Sequence, residues 1–204
     1  METGEIRLGV SDTICKYYLI PYLEQFNSNY PKIKIQVINR TSNQILELLK
    51  NGSIDCGIVT LPVKDHNISV QPFISVEDIF VACNKYSELK NKNVPLKELK
   101  KYPILMLEKK SMTRQIFDRF LQENNIVITP EIELESVELL VEFSKIGLRI
   151  AYVLKESALK EIESNTLFQI NIAEEIPKRK LGICTIKNVP LSRAADKLIE
   201  SLLK

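Results

Sequence analysis

The chain has 204 residues, of which 45% are hydrophobic and 26% charged, and its formal net charge is +2. This length is sufficient to bury a core, either in one large domain or in two smaller lobes. The net charge is too weak a bias to imply a nucleic-acid-binding surface. No apolar run approaches the roughly 18 residues of a membrane span. The first residues, Met-Glu-Thr-Gly-Glu, do not form an intact signal peptide.

The cysteines and the single histidine limit the chemistry of the chain. Cys15, Cys56, Cys83 and Cys184 are scattered without Cys-x-x-Cys spacing, and His66 lies in a polar segment. Since zinc needs clustered ligands and most nucleophilic catalysis needs a histidine base, we expect no metal, no cofactor and no enzyme activity. Three of the cysteines lie in apolar segments and are expected to be inert, whereas Cys15 falls in a helix start that would stabilise a thiolate. Four unpaired cysteines favour a reducing, cytoplasmic setting.

The first unit of the chain predicts a strand that runs into a polar helix start. Apolar and polar residues alternate over 6–10, and Ser11, Asp12 and Thr13 follow, all of which are good N-caps. Free backbone N–H groups and the positive end of the helix dipole converge at such a point. The stretch therefore predicts a small polar binding site.

An amphipathic helix is predicted behind this start. Ile14, Tyr18, Tyr22 and Phe26 recur every four residues with Leu19 and Leu23 beside them, as expected for the buried face of a helix. Pro21 lies within the pattern and should either kink the helix or mark the first turn of its longer part.

The next segments predict a parallel βαβαβ arrangement. A strand over 32–39 precedes a helix that begins at Thr41, where Gln44 has capping-box spacing, and a strand over 54–61 follows. Short links between these elements indicate a parallel sheet with right-handed crossovers. Thr60 would then end its strand beside the first polar helix start.

A second unit repeats the pattern of an apolar strand followed by hydroxyls. The strand over 103–107 precedes Ser111 and Thr113 at the start of a helix over 114–123, and Ser136 begins the helix after the following strand. Two such units predict two α/β lobes. Because ligands bind outside the carboxyl ends of strands in open α/β sheets, we expect one binding site between the two polar helix starts.

The remaining segments alternate between extended, helical and loop patterns. They predict a polar loop (63–70), an extended segment (71–83) that is interrupted at Glu77 and Asp78, a lysine-rich loop with a short helix (86–101), strands (148–154, 167–172 and 181–187), helices (155–163 and 191–203) and a left-handed Gly147.

Six short blocks, in a fixed order along nearly the whole chain, resemble one known family. They are Gly4-x-Ile6-x-Leu8-Gly9, Ile20-Pro21-x-Leu23-x-x-Phe26-x-x-x-Tyr30-Pro31, Leu49-x-x-Gly52-x-Ile54-Asp55-x-Gly57-Ile58, Ser111-x-Thr113-Arg114, Glu135-Ser136-Val137-Glu138 and Ile146-Gly147-Leu148-x-Ile150-Ala151. Together they resemble the effector-binding domain of LysR-type transcriptional regulators.

The resemblance implies an α/β fold of two Rossmann-like lobes joined by two crossover strands, similar to type 2 periplasmic binding proteins. Lobe I would comprise 1–82 plus 187–204, and lobe II 83–186. It also implies a homodimer, or a tetramer at full length, that contacts no membrane. DNA would be contacted only through a winged helix-turn-helix outside this chain.

The resemblance further implies a small-molecule effector between the lobes. Its contacts would be hydroxyl-bearing residues at helix starts and strand ends: Ser11, Thr13, Thr60, Ser111, Thr113 and Ser136. Helix capping alone accounts for several of these hydroxyls, and Thr60 is equally compatible with a plain β-branched strand residue.

The charge of the effector stays open at this point. Lys109, Lys110 and Arg114 are expected to be partly solvated, and any one of them that faced the effector would favour an anion. Glu108 and Glu135 oppose that preference.

Two other functions are compatible with the same fold. A solute-binding protein of a transport system is the main alternative, and a signal peptide upstream of this chain would distinguish it. An enzyme is disfavoured because the sequence offers no nucleophile–base pair.

Overall fold

The computed structural model describes residues 3–203, which form α-helices and β-strands in two compact units. The α-helices are α1 (Asp12–Ile14), α2 (Ile20–Asn29), α3 (Ser42–Lys50), α4 (Met112–Glu123), α5 (Val137–Lys145), α6 (Lys155–Glu163) and α7 (Arg193–Leu202). The strands are β1 (Gly4–Val10), β2 (Ile33–Asn39), β3 (Cys56–Thr60), β4 (Ile68–Val76), β5 (Asp78–Ala82), β6 (Asn93–Val94), β7 (Ile104–Leu107), β8 (Ile132–Leu134), β9 (Ile150–Leu154), β10 (Phe168–Ile172) and β11 (Arg179–Ile186).

Unit 1 comprises the described residues up to Ser75 and those from Lys180 onward. Its sheet has the strand order β2-β1-β3-β11-β4. β1 pairs in parallel with both β2 and β3, and β11 runs antiparallel to β3. The predicted parallel βαβαβ arrangement is therefore confirmed.

Two paired glycines allow α3 to lie close against this sheet. Gly9 of β1 is in register with Gly57 of β3, and the side chain of Ile45 packs over them. A Cβ atom at Gly57 would lie 2.3 Å from Ile45 Cγ2, which is far inside a normal contact. At the start of α3, Gln44 Oε1 accepts a hydrogen bond from the Thr41 backbone N–H at 3.2 Å, as the capping-box spacing predicted. The close packing places the start of α3 at the carboxyl ends of β1 and β3.

A π-helical turn interrupts the first helix, so the predicted four-residue repeat is confirmed only at its ends, where Ile14 and Phe26 are buried. Residues Cys15–Leu19 form the π-turn, in which the Ile20 N–H donates to the Cys15 carbonyl. Pro21, near the start of α2, has no N–H to continue the α-helical ladder, which explains the change of register at this point. Leu19 is fully buried as a result, whereas Tyr18 and Tyr22 are half-buried.

Unit 2 comprises Val76–Arg179. Its sheet has the strand order β6-β10-β5-β9-β7-β8, in which β7 is parallel to β8 and β9 while β5 is antiparallel to β9 and β10. Phe117 of α4 stacks on Tyr152 of β9 at 4.1 Å between ring centroids, within the buried core. Gly147, after α5, has φ +76°, which confirms the predicted left-handed position.

The division between the units differs from the lobe boundaries that the resemblance implies. The contact units change between Ser75 and Val76 and again between Arg179 and Lys180. This follows from the pairing of β5, which hydrogen-bonds to β9 and β10 and so belongs to unit 2. The extended segment predicted over 71–83, with its interruption at Glu77 and Asp78, corresponds to the two strands β4 and β5, which are separated at Glu77.

A buried ion pair joins the two ends of unit 2. Asp78, the first residue of β5, is 5% exposed, and Arg179, the last residue of the unit, is also 5% exposed. The Arg179 guanidinium binds the carboxylate in a bidentate manner, with Nη2 donating to Oδ1 at 2.8 Å and Nε donating to Oδ2. This geometry ties the segment that enters unit 2 to the segment that leaves it.

Candidate functional site

The first set of predicted site residues lies at one edge of the unit 1 sheet. β1, β2 and β3 are parallel, so their carboxyl ends reach the same edge. Ser11 follows β1 directly and caps α1, where its Oγ accepts a hydrogen bond from the Ile14 N–H at 3.4 Å. Thr13 lies in the same helical turn and is half-buried, and Thr60 is the last residue of β3.

Ser42 is a further member of this edge that the sequence interpretation missed. Its Oγ accepts a hydrogen bond from the Thr60 backbone N–H at 3.1 Å, which joins the start of α3 to the end of β3. The capping signal at Thr41 had placed Ser42 only as part of a helix start. We call Ser11, Thr13, Ser42 and Thr60 polar edge 1.

The second set lies at the corresponding edge of the unit 2 sheet. β7 and β8 are parallel with Leu107 opposite Leu134, and the Glu108 N–H donates to the Leu134 carbonyl at 3.0 Å. The helix starts that follow these two strands are therefore neighbours. Ser111 and Thr113 belong to the start of α4, and Ser136 to the start of α5. We call Ser111, Thr113 and Ser136 polar edge 2.

The hydroxyl groups of the two edges differ in whether they form hydrogen bonds within the chain. Ser136 Oγ accepts a hydrogen bond from the Leu139 N–H at 3.3 Å, so the Ser136 side chain, like that of Ser11, caps the helix that follows it. By contrast, the hydroxyls of Thr13, Ser111 and Thr113 make no hydrogen bond to any residue in the described range 3–203. All three residues are half-buried. These three groups retain their full hydrogen-bonding capacity for a bound molecule.

Arg114 is not a partly solvated residue, so that prediction is wrong. Its side chain is 4% exposed, with Nε donating to Asp118 Oδ1 at 2.8 Å and Nη1 donating to the Leu107 carbonyl at 3.0 Å and to Glu133 Oε1 at 3.1 Å. The residue faces the sheet from the first turn of α4, where its charge is balanced by the two carboxylates. Arg114 therefore holds α4 against β7 and β8 and is not a spare cation for an anionic ligand.

The side chain of Gln115 holds the turn before α4 through hydrogen bonds to main-chain carbonyls. Gln115 Nε2 donates to the carbonyls of Lys109 at 3.2 Å and Lys110 at 3.3 Å, which orders the turn that leads into polar edge 2. Lys109 and Lys110 are themselves exposed, as predicted, and Glu108 is half-buried.

Unit 2 also contains a cavity of about 540 Å³ beside α4. Its lining residues come from α4, the segment after it and the turn before it, and include Lys109, Arg114, Asp118, Glu133 and Val127. None of the residues of polar edge 2 lines it. The cavity thus adjoins the start of α4 but does not include the hydroxyls at which we expect a ligand.

The cysteine environments agree only in part with the prediction. Cys56 and Cys184 are buried strand residues, and burial raises the pKa of each thiol to about 12. Cys83 is half-buried and lies directly after β5 rather than in a strand. Burial and then the Asp12 carboxylate raise the pKa of the Cys15 thiol, so the predicted stabilisation of its thiolate is wrong.

The two buried thiols predict a loss of stability in alkaline solution. Each thiol ionises from an ordinary value of 9.0 in the unfolded chain but only at about 12 in the folded chain. Their stabilising contribution is complete below pH 9.0 and is lost as the pH rises towards about 12. We expect the free energy of unfolding to fall by about 1.4 kcal/mol per pH unit for each thiol in that window.

Urea denaturation across that pH range, under reducing conditions, measures this slope. Cys56→Ala should make the decline shallower by about 1.4 kcal/mol per pH unit. Ile58→Val, a core substitution in the same strand without an ionisable group, should leave the slope unchanged. Equal slopes for the parent chain and Cys56→Ala would contradict the assignment.

Two further properties concern the residues that the structure describes. Over the range 3–203, three or more His, Cys, Asp or Glu side chains are nowhere grouped as a metal site requires. Over the same range, every helix is too short or too polar to cross a membrane.

Comparisons with known proteins identify similar sequences over the whole chain. A family model described as the LysR substrate binding domain matches residues 1–204. A protein named "Probable RuBisCO transcriptional regulator" from Cyanophora paradoxa is 23% identical over 209 residues, which cover 100% of this chain and 64% of that relative. The chain thus spans about two thirds of the length of this curated relative.

Solved structures show the same fold at low sequence identity. The Synechocystis PCC6803 CcmR regulatory domain, in complex with 2-PG, has a TM-score of 0.89 and 23% identity over 98% of this chain and 96% of that one. The effector binding domain of QuiR, in complex with shikimate, has a TM-score of 0.88 and 19% identity over 99% and 96% of the two chains. The predicted fold class, α/β with two lobes of the type 2 periplasmic-binding-protein kind, is confirmed.

Proposed function

Since the chain belongs to the LysR substrate binding domain family, as the order of its sequence blocks predicted, we propose that it senses a small-molecule effector for a transcriptional regulator. Similar domains have been solved with 2-PG and with shikimate, which supports a small metabolite as the ligand. The relative from Cyanophora paradoxa carries the name of a transcriptional regulator, which favours regulation over transport.

The strongest support for this proposal comes from hydroxyl groups at helix starts that form no hydrogen bond within the described range 3–203. Thr13 lies in α1, which Ser11 caps, and Ser111 and Thr113 lie at the start of α4, where Ser111 makes no side-chain capping hydrogen bond. Our proposal is that the effector is bound through these helix starts. Thr13, Ser111 and Thr113 contact the effector directly, Ser11, Thr60 and Ser136 complete the polar edge to which each belongs, and Ser42 positions Thr60.

The chemistry of these groups favours an oxygen-rich effector. Hydroxyls and helix N-termini donate hydrogen bonds to carboxylate, phosphate or hydroxyl oxygens, and the helix dipole favours negative charge. Arg114 offers no free positive charge to the effector because its guanidinium forms ion pairs with Asp118 and Glu133. A small acid that carries hydroxyl groups therefore fits these edges better than a large cationic or purely apolar molecule.

The response to the effector is a shift between two arrangements of the regulator. An effector acts only through its different affinity for those arrangements, and the chain has no catalytic step in this proposal. The regulator acts in the cytoplasm as a homo-oligomer, and its DNA-reading segment lies outside this chain. This part of the proposal rests on the family.

A thermal-shift screen tests the proposal. The chain is heated with hydroxy acids, sugar phosphates, aromatic and aliphatic carboxylates, amino acids, sulfate and phosphate. An effector at 100 times its Kd should stabilise the fold by about 2.7 kcal/mol, which raises the Tm by about 5–10 °C for a domain of this size. A panel in which no small acid raises the Tm, while cationic or apolar compounds do, would contradict the proposed chemistry.

A further inference from the structure

The positive charge of the chain is concentrated in one short segment of unit 2. Residues 84–101 contain six lysines and two glutamates, a net charge of +4, whereas the whole chain has +2, so the remainder carries −2. The small overall charge conceals this asymmetry. All six lysines are exposed.

The local structure explains why the segment presents its lysines outward. Residues Leu96–Lys101 form a 3₁₀-helix, in which side chains three residues apart lie on one line. Leu96 and Leu99 form the inner line and are fully buried in the unit 2 core. Lys97 and Lys100 form a second line that points away from the core.

The segment is held firmly on unit 2. Its strand β6 pairs with β10, and the Leu96 N–H donates to Glu174 Oε2 at 2.7 Å. Tyr86 and Leu89 are buried in the same core as Leu96. The exposed lysines are thus displayed on an ordered support, which lowers the entropy lost when they bind a partner.

Four of the six lysines have no partner within the described chain. Lys85 donates to the Gly147 carbonyl at 3.1 Å, and Lys90 lies 5.8 Å from the centre of the Phe168 ring. The other four make no ion pair or hydrogen bond with residues 3–203, and we call them the lysine ridge: Lys92, Lys97, Lys100 and Lys101.

The nearby carboxylates do not neutralise the ridge. Burial and then the Glu88 carboxylate raise the pKa of the Tyr102 hydroxyl, so Glu88 acts on Tyr102, and Glu174 accepts the hydrogen bond from the Leu96 N–H. Glu98 is the remaining acidic residue of the segment, and no ion pair links it to a ridge lysine. A net positive surface therefore faces the solvent.

We propose that the lysine ridge contacts the phosphate backbone of duplex nucleic acid without sequence preference. Four unpaired lysines suit phosphates, because such contacts need cations rather than a shaped pocket. A protein partner is disfavoured, since the segment has no arginine or tryptophan and lysine is depleted at protein interfaces. A membrane surface is disfavoured, since residues 84–101 expose no large apolar side chain. Single-stranded nucleic acid is disfavoured as well, because its bases would need exposed aromatic rings on which to stack and Tyr86 is buried.

This inference goes beyond the proposed function, in which DNA is read only by a segment outside this chain. The ridge would add a weak, salt-sensitive contact from the sensing part itself. It does not depend on the effector or on either polar edge.

Fluorescence anisotropy of a labelled duplex of about 20 base pairs tests the proposal, with the chain titrated at several KCl concentrations. Four phosphate contacts predict a slope of about −3 to −4 in log K against log salt. The test variant replaces the ridge with Lys92→Gln, Lys97→Gln, Lys100→Gln and Lys101→Gln. Its matched control replaces four exposed unit 1 lysines with Lys32→Gln, Lys64→Gln, Lys180→Gln and Lys187→Gln.

The proposal expects the ridge variant to bind at least tenfold more weakly at low salt, with a slope near zero, and the control to bind like the parent chain. Equal losses in the two variants would overturn it, as would the absence of binding by the parent chain at low salt. Equal affinity for polyglutamate of matched charge density would overturn it in favour of an acidic protein partner. Circular dichroism of both variants confirms that each is folded.

Discussion

Asp78→Leu is expected to destabilise the folded chain by about 3–5 kcal/mol, because it removes the carboxylate that the buried Arg179 guanidinium binds in a bidentate manner. Both residues are only 5% exposed, so water cannot replace the lost carboxylate. Urea denaturation at neutral pH measures the loss as a lower midpoint with little change in slope.

Two further variants separate charge burial from general disruption. The double variant Asp78→Leu, Arg179→Met should recover most of the lost stability, since apolar residues of similar volume often replace a buried pair at little cost. Glu142→Gln breaks a more exposed pair with Lys145 and should cost less than about 1 kcal/mol. A double variant as unstable as Asp78→Leu alone would show that the pair is not the cause.

Gly57→Ala is expected to cost about 1–3 kcal/mol, although it adds a single methyl group. The new Cβ would lie 2.3 Å from Ile45 Cγ2, an atom whose position is set by the stiff χ1 angle of a β-branched residue in a helix. The helix α3 must therefore move away from the sheet. That movement would also lengthen the contact between Ser42 Oγ and the Thr60 N–H.

A double-mutant cycle tests whether the clash with Ile45 is responsible. Ile45→Ala alone should cost about 2–5 kcal/mol, but in that background Gly57→Ala should cost almost nothing, because Cγ2 is absent. Gly9→Ala should depend less on the Ile45→Ala background, since its Cβ would lie 2.6 Å from the flexible end of Ile54 and 3.1 Å from Ile45 Cγ2. The idea fails if Gly57→Ala costs as much in the Ile45→Ala background as it does in the parent chain.

Local signals in the sequence predicted most of the elements because their causes are local. Ser136 caps the helix that it was expected to begin, and Gly147 after α5 has the left-handed conformation that was predicted. The parallel pairing of β1, β2 and β3 followed from the short links between them. In each case neighbouring residues in the chain carry the signal.

The features that the sequence did not reveal depend on contacts between distant residues. Asp78 and Arg179 are separated by 101 positions, and each alone is indistinguishable from a surface charge. Arg114 was expected at the surface because nothing near it in sequence shows that Glu133 and the Leu107 carbonyl surround it. Ser42 belongs to polar edge 1 only through its contact with Thr60.

The proposed effector site is tested most directly by isothermal titration calorimetry. An effector that the thermal-shift screen identifies is titrated into the Thr13→Val and Thr113→Val variants, and its affinity is compared with that for the parent chain. Each substitution keeps the shape of the side chain and removes one hydroxyl, so each should weaken binding by about tenfold. Thr129→Val, an exposed site in the same unit as Thr113, serves as the control and should bind like the parent chain. Unchanged affinity in both Thr13→Val and Thr113→Val would contradict an effector site built from these helix starts.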